Sequence, residues 1–306
     1  MLSGEVVALD AQTGAVTWRK RMFEPATGYA FSLAPLALDG AIVVGSSGGE
    51  YGARGFIAAL NPDDGAVLWK RFTVPGANEK HGDTWPNGMQ EHGGAPAWLT
   101  GTYDPASKTL YWGVGNPGPW LADLRPGDNL YSDSLLALDA KTGDLKWHYQ
   151  YTRHDTWDYD GVNTPTLANI TYEGKSYDAI LHADRNGFFH AIDRTNGKLI
   201  YAKPFVKATS VTGYTADGAP IQDAAKYPKV GTTIDTCPSF LGGKNWWSVS
   251  YDPEKHLAIV PSLHACMSLS GKSVNYMEGL PYLGEGFELK PEPGSQGYGE
   301  LQAIDV

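Results

Sequence analysis

An all-β fold built from propeller blades is predicted by three features of the sequence. First, one strand–turn–strand motif recurs, with 51 residues from Asp10 to Asn61 and 54 from Asp139 to Asp193. Second, 37 Gly and 20 Pro in 306 residues suit turns and short strands and would break helices. Third, 10 Trp, 17 Tyr and 9 Phe give enough bulk for a large core and exclude a disordered chain.

The motif runs apolar alternation, Asp or Asn, Gly four residues later, then an aromatic four beyond that. It reads VVALDAQTGAVTW (Asp10, Gly14, Trp18), IAALNPDDGAVLW (Asn61, Gly65, Trp69), LLALDAKTGDLKW (Asp139, Gly143, Trp147) and FHAIDRTNGKLIY (Asp193, Gly197, Tyr201). A fifth copy begins at LQAIDV. The Asp or Asn side chain can bond turn amides, Gly supplies a positive φ, and the aromatic can dock on a neighbouring sheet. Such repeats are the signature of propeller blades. The longer interval from Asn61 to Asp139 predicts an insertion, and that from Asp193 to Asp305 leaves room for a blade with a degenerate motif. The alternative is one hairpin motif in a β-sandwich.

The net charge of −10 and the lack of a long basic run argue against nucleic acid and favour a positively charged partner surface. No apolar run approaches the length of a membrane span. The opening MLSGEVVALD has neither the basic nor the apolar region of a signal peptide.

The residues with chemical potential lie between the motifs. GSSGGEYGARG (45–55) lacks the Lys-Ser/Thr ending of a phosphate loop; it offers close backbone approach and one carboxylate, Glu50. In GVGNPGPW the glycines match a dinucleotide fingerprint, but Pro117 and Pro119 forbid the helix that must follow. Its useful atom is the Asn116 amide oxygen, a hard metal ligand. HDTWDYDGVN (154–163) carries Asp155, Asp158 and Asp160. In an extended strand, Asp158 and Asp160 would share a face, a repulsion that a cation reverses. Trp157 and Tyr159 suggest that this segment is ordered and part-buried rather than an acidic surface loop. Arg185 follows in ADRNGFF. Cys237 and Cys266 flank GGKNWW (242–247) and read as a disulfide or, less favoured, as buried thiols; without Cys-x-x-Cys they do not suggest a metal site.

Taken in order, GSSGGE-x-G-x-RG, GNPGPW, RPGDN, WDYDGVN, DRNG and the Cys237-Pro-Ser segment resemble the pyrroloquinoline-quinone (PQQ) dependent alcohol dehydrogenases, the quinoprotein methanol and ethanol dehydrogenase family. The resemblance covers essentially the whole chain. It implies an eight-bladed propeller of nearly twice this length, exported to the periplasm. Residues 1–306 would then be one partial propeller domain, truncated at both ends and inactive alone. The same resemblance implies roles for residues. Glu50, Asn116 and Asp158 match metal ligands, and Asp158 also matches the catalytic base. Arg185 matches the arginine at the reactive quinone oxygens, and Trp98 the floor under the quinone ring. Ser32, Ser47, Gly48, Gly49, Asn245 and Trp246 fall at cofactor contacts; Ser32 keeps the hydroxyl of the Thr found in methanol dehydrogenases. Asp160 matches an Asp of the lanthanide-using branch, so a lanthanide(III) ion is expected, with calcium as the alternative. The implied reaction is oxidation of a small primary alcohol to an aldehyde, with hydride passing to metal-bound PQQ and electrons to a cytochrome c. DNLYSDSLLALD favours the ethanol-type branch. A homodimer of the full-length enzyme and a Cys237–Cys266 disulfide also follow from the resemblance. The competing readings are a non-catalytic propeller scaffold, a sugar-oxidising quinoprotein, and a propeller hydrolase, the last lacking a G-x-S-x-G nucleophile motif.

Overall fold

The computed structural model describes residues 3–295 and 298–306. The motif turns form as their chemistry requires. Asp10 Oδ1 accepts from the amides of Gln12 (3.1 Å) and Thr13 (2.7 Å), Asn61 Oδ1 from Asp63 (2.9 Å), and Asp139 Oδ1 from Lys141 (2.9 Å) and Thr142 (3.1 Å). The motif glycines sit at φ between 71 and 76°, in the left-handed region.

Each turn joins two antiparallel strands of a sheet. β1 (Glu5–Leu9) pairs with β2 (Val16–Arg21). Three four-stranded meanders follow in chain order: β3–β6 (Leu36–Leu38, Ala41–Gly45, Phe56–Leu60, Val67–Phe72), β7–β10 (Thr102–Asp104, Thr109–Val114, Ser134–Asp139, Leu145–Gln150) and β11–β14 (Thr166–Tyr172, Lys175–Ala183, Phe188–Asp193, Leu199–Pro204). A fifth sheet joins β18 (Ser250–Asp252), β19 (Leu257–Leu263) and β22 (Gly299–Asp305). β22 holds LQAID, so this sheet carries the fifth motif.

The interval from Asp193 to Asp305 hides no degenerate blade. It contains the hairpin β15 (Val211–Tyr214) and β16 (Pro220–Gln222), and a three-stranded sheet of β17 (Thr233–Thr236), β20 (Ala265–Gly271) and β21 (Glu285–Pro291). This sheet departs from the meander because β19 leads into β20, and the chain returns to pair β22 with β19. Cys237 and Cys266 form a disulfide inside this insertion. The described residues thus account for five successive blade sheets of the eight implied by the resemblance.

The core lies between the sheets. Val43, Ile57 and Ala59 of one meander pack with Leu110, Trp112 and Leu136 of the next. Further on, Leu135 and Tyr149 meet Ile180 and Ile192. The motif tryptophans bridge the same joints. Trp18 Nε1 donates to Pro62 O (2.7 Å) and Trp69 Nε1 to Ala140 O (3.2 Å). Each ring lies over the glycine of the following motif. A Cβ on Gly65 would meet Trp18 Cε3 at 2.6 Å, and one on Gly143 would meet Trp69 Cε3 at 2.6 Å. The invariant spacing of the motif is therefore a docking code between consecutive blades. Gly143→Val is expected to destabilise the protein by at least 2 kcal/mol, roughly the sum of overpacking and a strained positive φ. A urea unfolding midpoint equal to wild type would reject this docking role.

Candidate functional site

The meander order places the site. The β4–β5, β8–β9 and β12–β13 connections leave equivalent positions of three consecutive sheets, so 45–55, 115–133 and 184–187 meet at one end of the stack, with the β10–β11 connection (151–165) between them. Segment 93–98 threads through them. Ala97 N donates to Ser46 O (2.8 Å), Ala95 N to Asn116 O (2.8 Å), and Gly115 N to Pro96 O (2.7 Å).

At the centre, Arg185 forks between two carboxylates. Its Nη1 lies 3.2 Å from Asp158 Oδ2 and its Nη2 3.1 Å from Asp160 Oδ2. Nη1 also donates to Phe240 O (3.0 Å). All three side chains are buried. Trp98 donates from Nε1 to Asp160 Oδ2 (2.9 Å), and the Arg185 guanidinium stands 5.5 Å from its ring centre. Asp160 Oδ1 accepts from the Asn116 amide N–H (2.6 Å). Asp160 is thus a strut that joins the tryptophan, the arginine and the Asn116 loop. Gly115 permits this, since a Cβ there would overlap Asp160 Oδ1.

Asp158 and Asp160 come together by a route other than the expected one. Residues 151–163 form no strand, and Asp158 has φ 61°. Asp155 shapes the turn: Oδ1 accepts from Trp157 N (2.9 Å) and Oδ2 from Tyr159 N (3.1 Å). Capping two amides bends the backbone, and Asp is one of the few side chains that tolerates the left-handed region. Asp155 therefore shapes the loop and does not contact Arg185. Trp157 and Tyr159 are fully buried, more so than the part-buried segment expected from the aromatic flanks.

The electrostatics are strained toward protonation. Burial, then Asp160, pushes the Asp158 carboxyl well above the usual carboxylate range. Burial and Asp160 also raise half-buried Glu50. Arg185 is held above its ordinary value: burial works against its charge, but Asp160, Asp158 and Glu50 outweigh it. Three carboxylates against one guanidinium leave two negative charges unmatched.

Among the described residues, no group of three or more His, Cys, Asp and Glu side chains is arranged to hold an ion by itself. The expected set includes an amide, and Arg185 stands against two of its acids. The Asn116 amide has two settings. In one, Oδ1 faces acceptors only; turned over, its nitrogen donates to Asp160 Oδ1 (3.2 Å) and Asp158 Oδ1 (3.2 Å), and its oxygen accepts from Trp120 Nε1 (2.8 Å). A cation among these oxygens would favour the first setting. Hard oxygen donors with surplus negative charge fit a hard cation.

The remaining expected residues lie around this centre. Ser32 Oγ is 2.5 Å from Ser47 Oγ and donates to Trp98 O (3.0 Å). Gly48 and Gly49 open the short helical turn Gly49–Tyr51, and a Cβ on Gly49 would stand 3.6 Å from Asn116 Oδ1. Asn245 donates to Leu241 O (2.8 Å) within its own loop, the loop whose Gly243 N bonds Arg185 O, and Trp246 is 59% exposed.

Arg125, the first residue of RPGDN, is a structural residue of the site that was not among the expected ones. Arg125 is fully buried and donates from Nε to Pro119 O (2.6 Å), from Nη1 to Asn129 Oδ1 (2.7 Å), and from Nη2 to Trp120 O (2.7 Å) and to Asp155 O. It ties the Asn116 loop to the Asp158 loop. An Arg followed by Pro-Gly-Asp reads as an exposed turn, so no local signal marks it.

The family described as "PQQ: Glucose/ethanol/alcohol dehydrogenase, beta-propeller domain" matches residues 19–229. Quinoprotein alcohol dehydrogenase PedH of Pseudomonas putida is 42% identical over 99% of this chain and 55% of its own length. A lanthanide-dependent methanol dehydrogenase of Methylacidiphilum fumariolicum is 35% identical over 92% of this chain and 50% of its own. A solved europium-containing methanol dehydrogenase superposes with TM-score 0.95 at 33% identity, covering 99% of this chain and 57% of that one. The chain spans about half the length of the curated relatives it matches.

Proposed function

The chain belongs to the PQQ-dependent alcohol dehydrogenase family, and from that premise we propose that the full-length protein oxidises a small primary alcohol to an aldehyde. The observation that carries this reading is the buried Asp158–Arg185–Asp160 fork beside Trp98. Bound PQQ supplies a two-electron acceptor that no side chain provides. Trp98 offers it an apolar face; Ser32, Ser47, Gly48, Gly49, Asn245 and Trp246 would serve its polar edge. Glu50, Asn116, Asp158 and Asp160 would hold the cation. Asp158 takes the alcohol proton on a carboxylate oxygen. Arg185 holds positive charge where negative charge develops on oxygen.

A lanthanide(III) ion suits the cation site better than calcium. Asp160 adds a third carboxylate to Glu50 and Asp158, matching one more positive charge. The electrons pass to a cytochrome c, and the enzyme works as a homodimer in the periplasm, an oxidising compartment in which the Cys237–Cys266 disulfide persists. Residues 1–306 are one partial propeller domain. No helix among the described residues is long and apolar enough to cross a membrane.

The test is to add PQQ with lanthanum or with calcium to the metal-free full-length protein, and to follow cofactor absorbance and dye-linked oxidation of alcohols and aldoses. Alcohol oxidation with lanthanum is expected. Asp160→Ala should abolish the lanthanum-dependent activity. Equal activity with both metals, unchanged in Asp160→Ala, would remove the lanthanide assignment only. Oxidation of aldoses alone would replace the substrate class, and failure to bind PQQ would return the scaffold reading.

A further inference from the structure

The loop 242–247 carries a cationic side chain that neither the blade packing nor the carboxylate–arginine cluster uses. Lys244 is 2% exposed. Among the described residues its amine has no hydrogen bond and no salt bridge. A cationic side chain buried to this extent without a hydrogen-bonded partner is costly, and such groups concentrate where a ligand completes them.

Its surroundings are fixed. Gly243 N donates to Arg185 O (2.9 Å), and a Cβ on Gly242 would stand 2.6 Å from Arg185 Cβ, so the loop backbone lies directly on the arginine. The Cys237–Cys266 disulfide closes the chain around this loop. Burial, then the Arg185 charge, drives the Lys244 amine down to about 7, with Asp184 opposing the shift. Asp184 is already engaged: Oδ2 lies 2.9 Å from His182 Nε2, and Oδ1 accepts from Asn186 N (3.0 Å). Burial, then Lys244, in turn holds His182 at about 3, so its ring is neutral. The groups facing Lys244 are therefore a cation, a neutral imidazole and a carboxyl with its own partners. Asp184 is the one opposite charge among them, and its oxygens are bonded to His182 and Asn186 N rather than to Lys244.

Two cationic side chains next to each other, one already between its acids and the other unpaired, make a place for an anionic oxygen. We propose that Lys244 is a further cofactor-binding residue, taking a proton from solvent and pairing with an anionic oxygen of the quinone cofactor when that cofactor binds. This rests on the PQQ reading of the site. The linkage has a definite sign. Below pH about 7 the amine already carries its proton, and binding takes up none. Above that pH, binding draws a proton from solvent, so affinity falls as pH rises.

The experiment titrates PQQ into the full-length, metal-loaded protein by calorimetry, from pH 6 to 9, in buffers of different ionisation enthalpy. The wild type is expected to take up about one proton at pH 8 and to lose this uptake below neutrality. Lys244→Met, close in length and uncharged, should bind PQQ on the order of tenfold or more weakly at pH 7, with the uptake gone. Its thermal unfolding reports whether it folds. Equal affinity and equal uptake in variant and wild type would overturn the proposal. If the variant does not fold, the wild type decides: no uptake at pH 8 overturns it, and uptake with a midpoint near neutrality supports it. No PQQ binding by the wild type would sink the cofactor reading itself, and Lys244 with it.

Discussion

Asp158→Asn in the full-length enzyme is expected to lower kcat by roughly 10²-fold or more, the ordinary contribution of a positioned general base. The substitution keeps shape and one oxygen donor. Arg185 keeps its contact with Asp160 Oδ2 at 3.1 Å, so the fork is not dismantled. Cofactor and metal should therefore still bind in part, and the loss should fall on kcat more than on KM. Single-turnover kinetics with metal content measured in parallel would check this. Full turnover with metal bound would remove Asp158 from the role of base and leave it as a ligand only.

Arg125→Met is expected to destabilise the protein by about 3–5 kcal/mol, the cost of breaking one side of a buried charged network. Three backbone carbonyls and the Asn129 amide oxygen would lose their donor at once. Burial already lowers Arg125 to about 10, with Asp155 and Asp133 opposing that shift. Removing the guanidinium would take the positive charge from beside those carboxyls, leaving Asp155 only its amide donors. Lys in its place keeps the charge but cannot reach four acceptors with a planar fork, so Arg125→Lys should recover little of the loss. Urea unfolding of both variants gives the measurement. A midpoint within experimental scatter of wild type would show that the two loops hold their shape without Arg125, and activity would then be unaffected as well.

These two residues were unequally legible. Asp158 stands in a segment where acids and aromatics alternate, which is unusual enough to notice. The reason given for its proximity to Asp160 was nevertheless incorrect. Period-two alternation describes a strand, whereas Asp155 caps the amides of Trp157 and Tyr159 and turns the chain. Arg125 lay inside RPGDN with no role assigned to it, because its acceptors include carbonyls at Pro119, Trp120 and Asp155, and carbonyls carry no sequence signature.

The sequence by itself determined the repeating unit. Asp or Asn caps, a glycine at positive φ and an aromatic at fixed spacing are local chemistry, complete within 13 residues, so they could be read without knowing what lay beside them. The family motifs likewise marked which loops would carry the site. Only the tertiary structure decided what those loops share. That each tryptophan rests on the glycine of the next motif, that the interval before the fifth motif is filled by an inserted sheet, and that Lys244 lies unpaired beside Arg185 all depend on contacts between segments distant in the chain. Such contacts are set by how sheets stack and which backbone groups they leave to be satisfied, and neither quantity is written in any single stretch of residues.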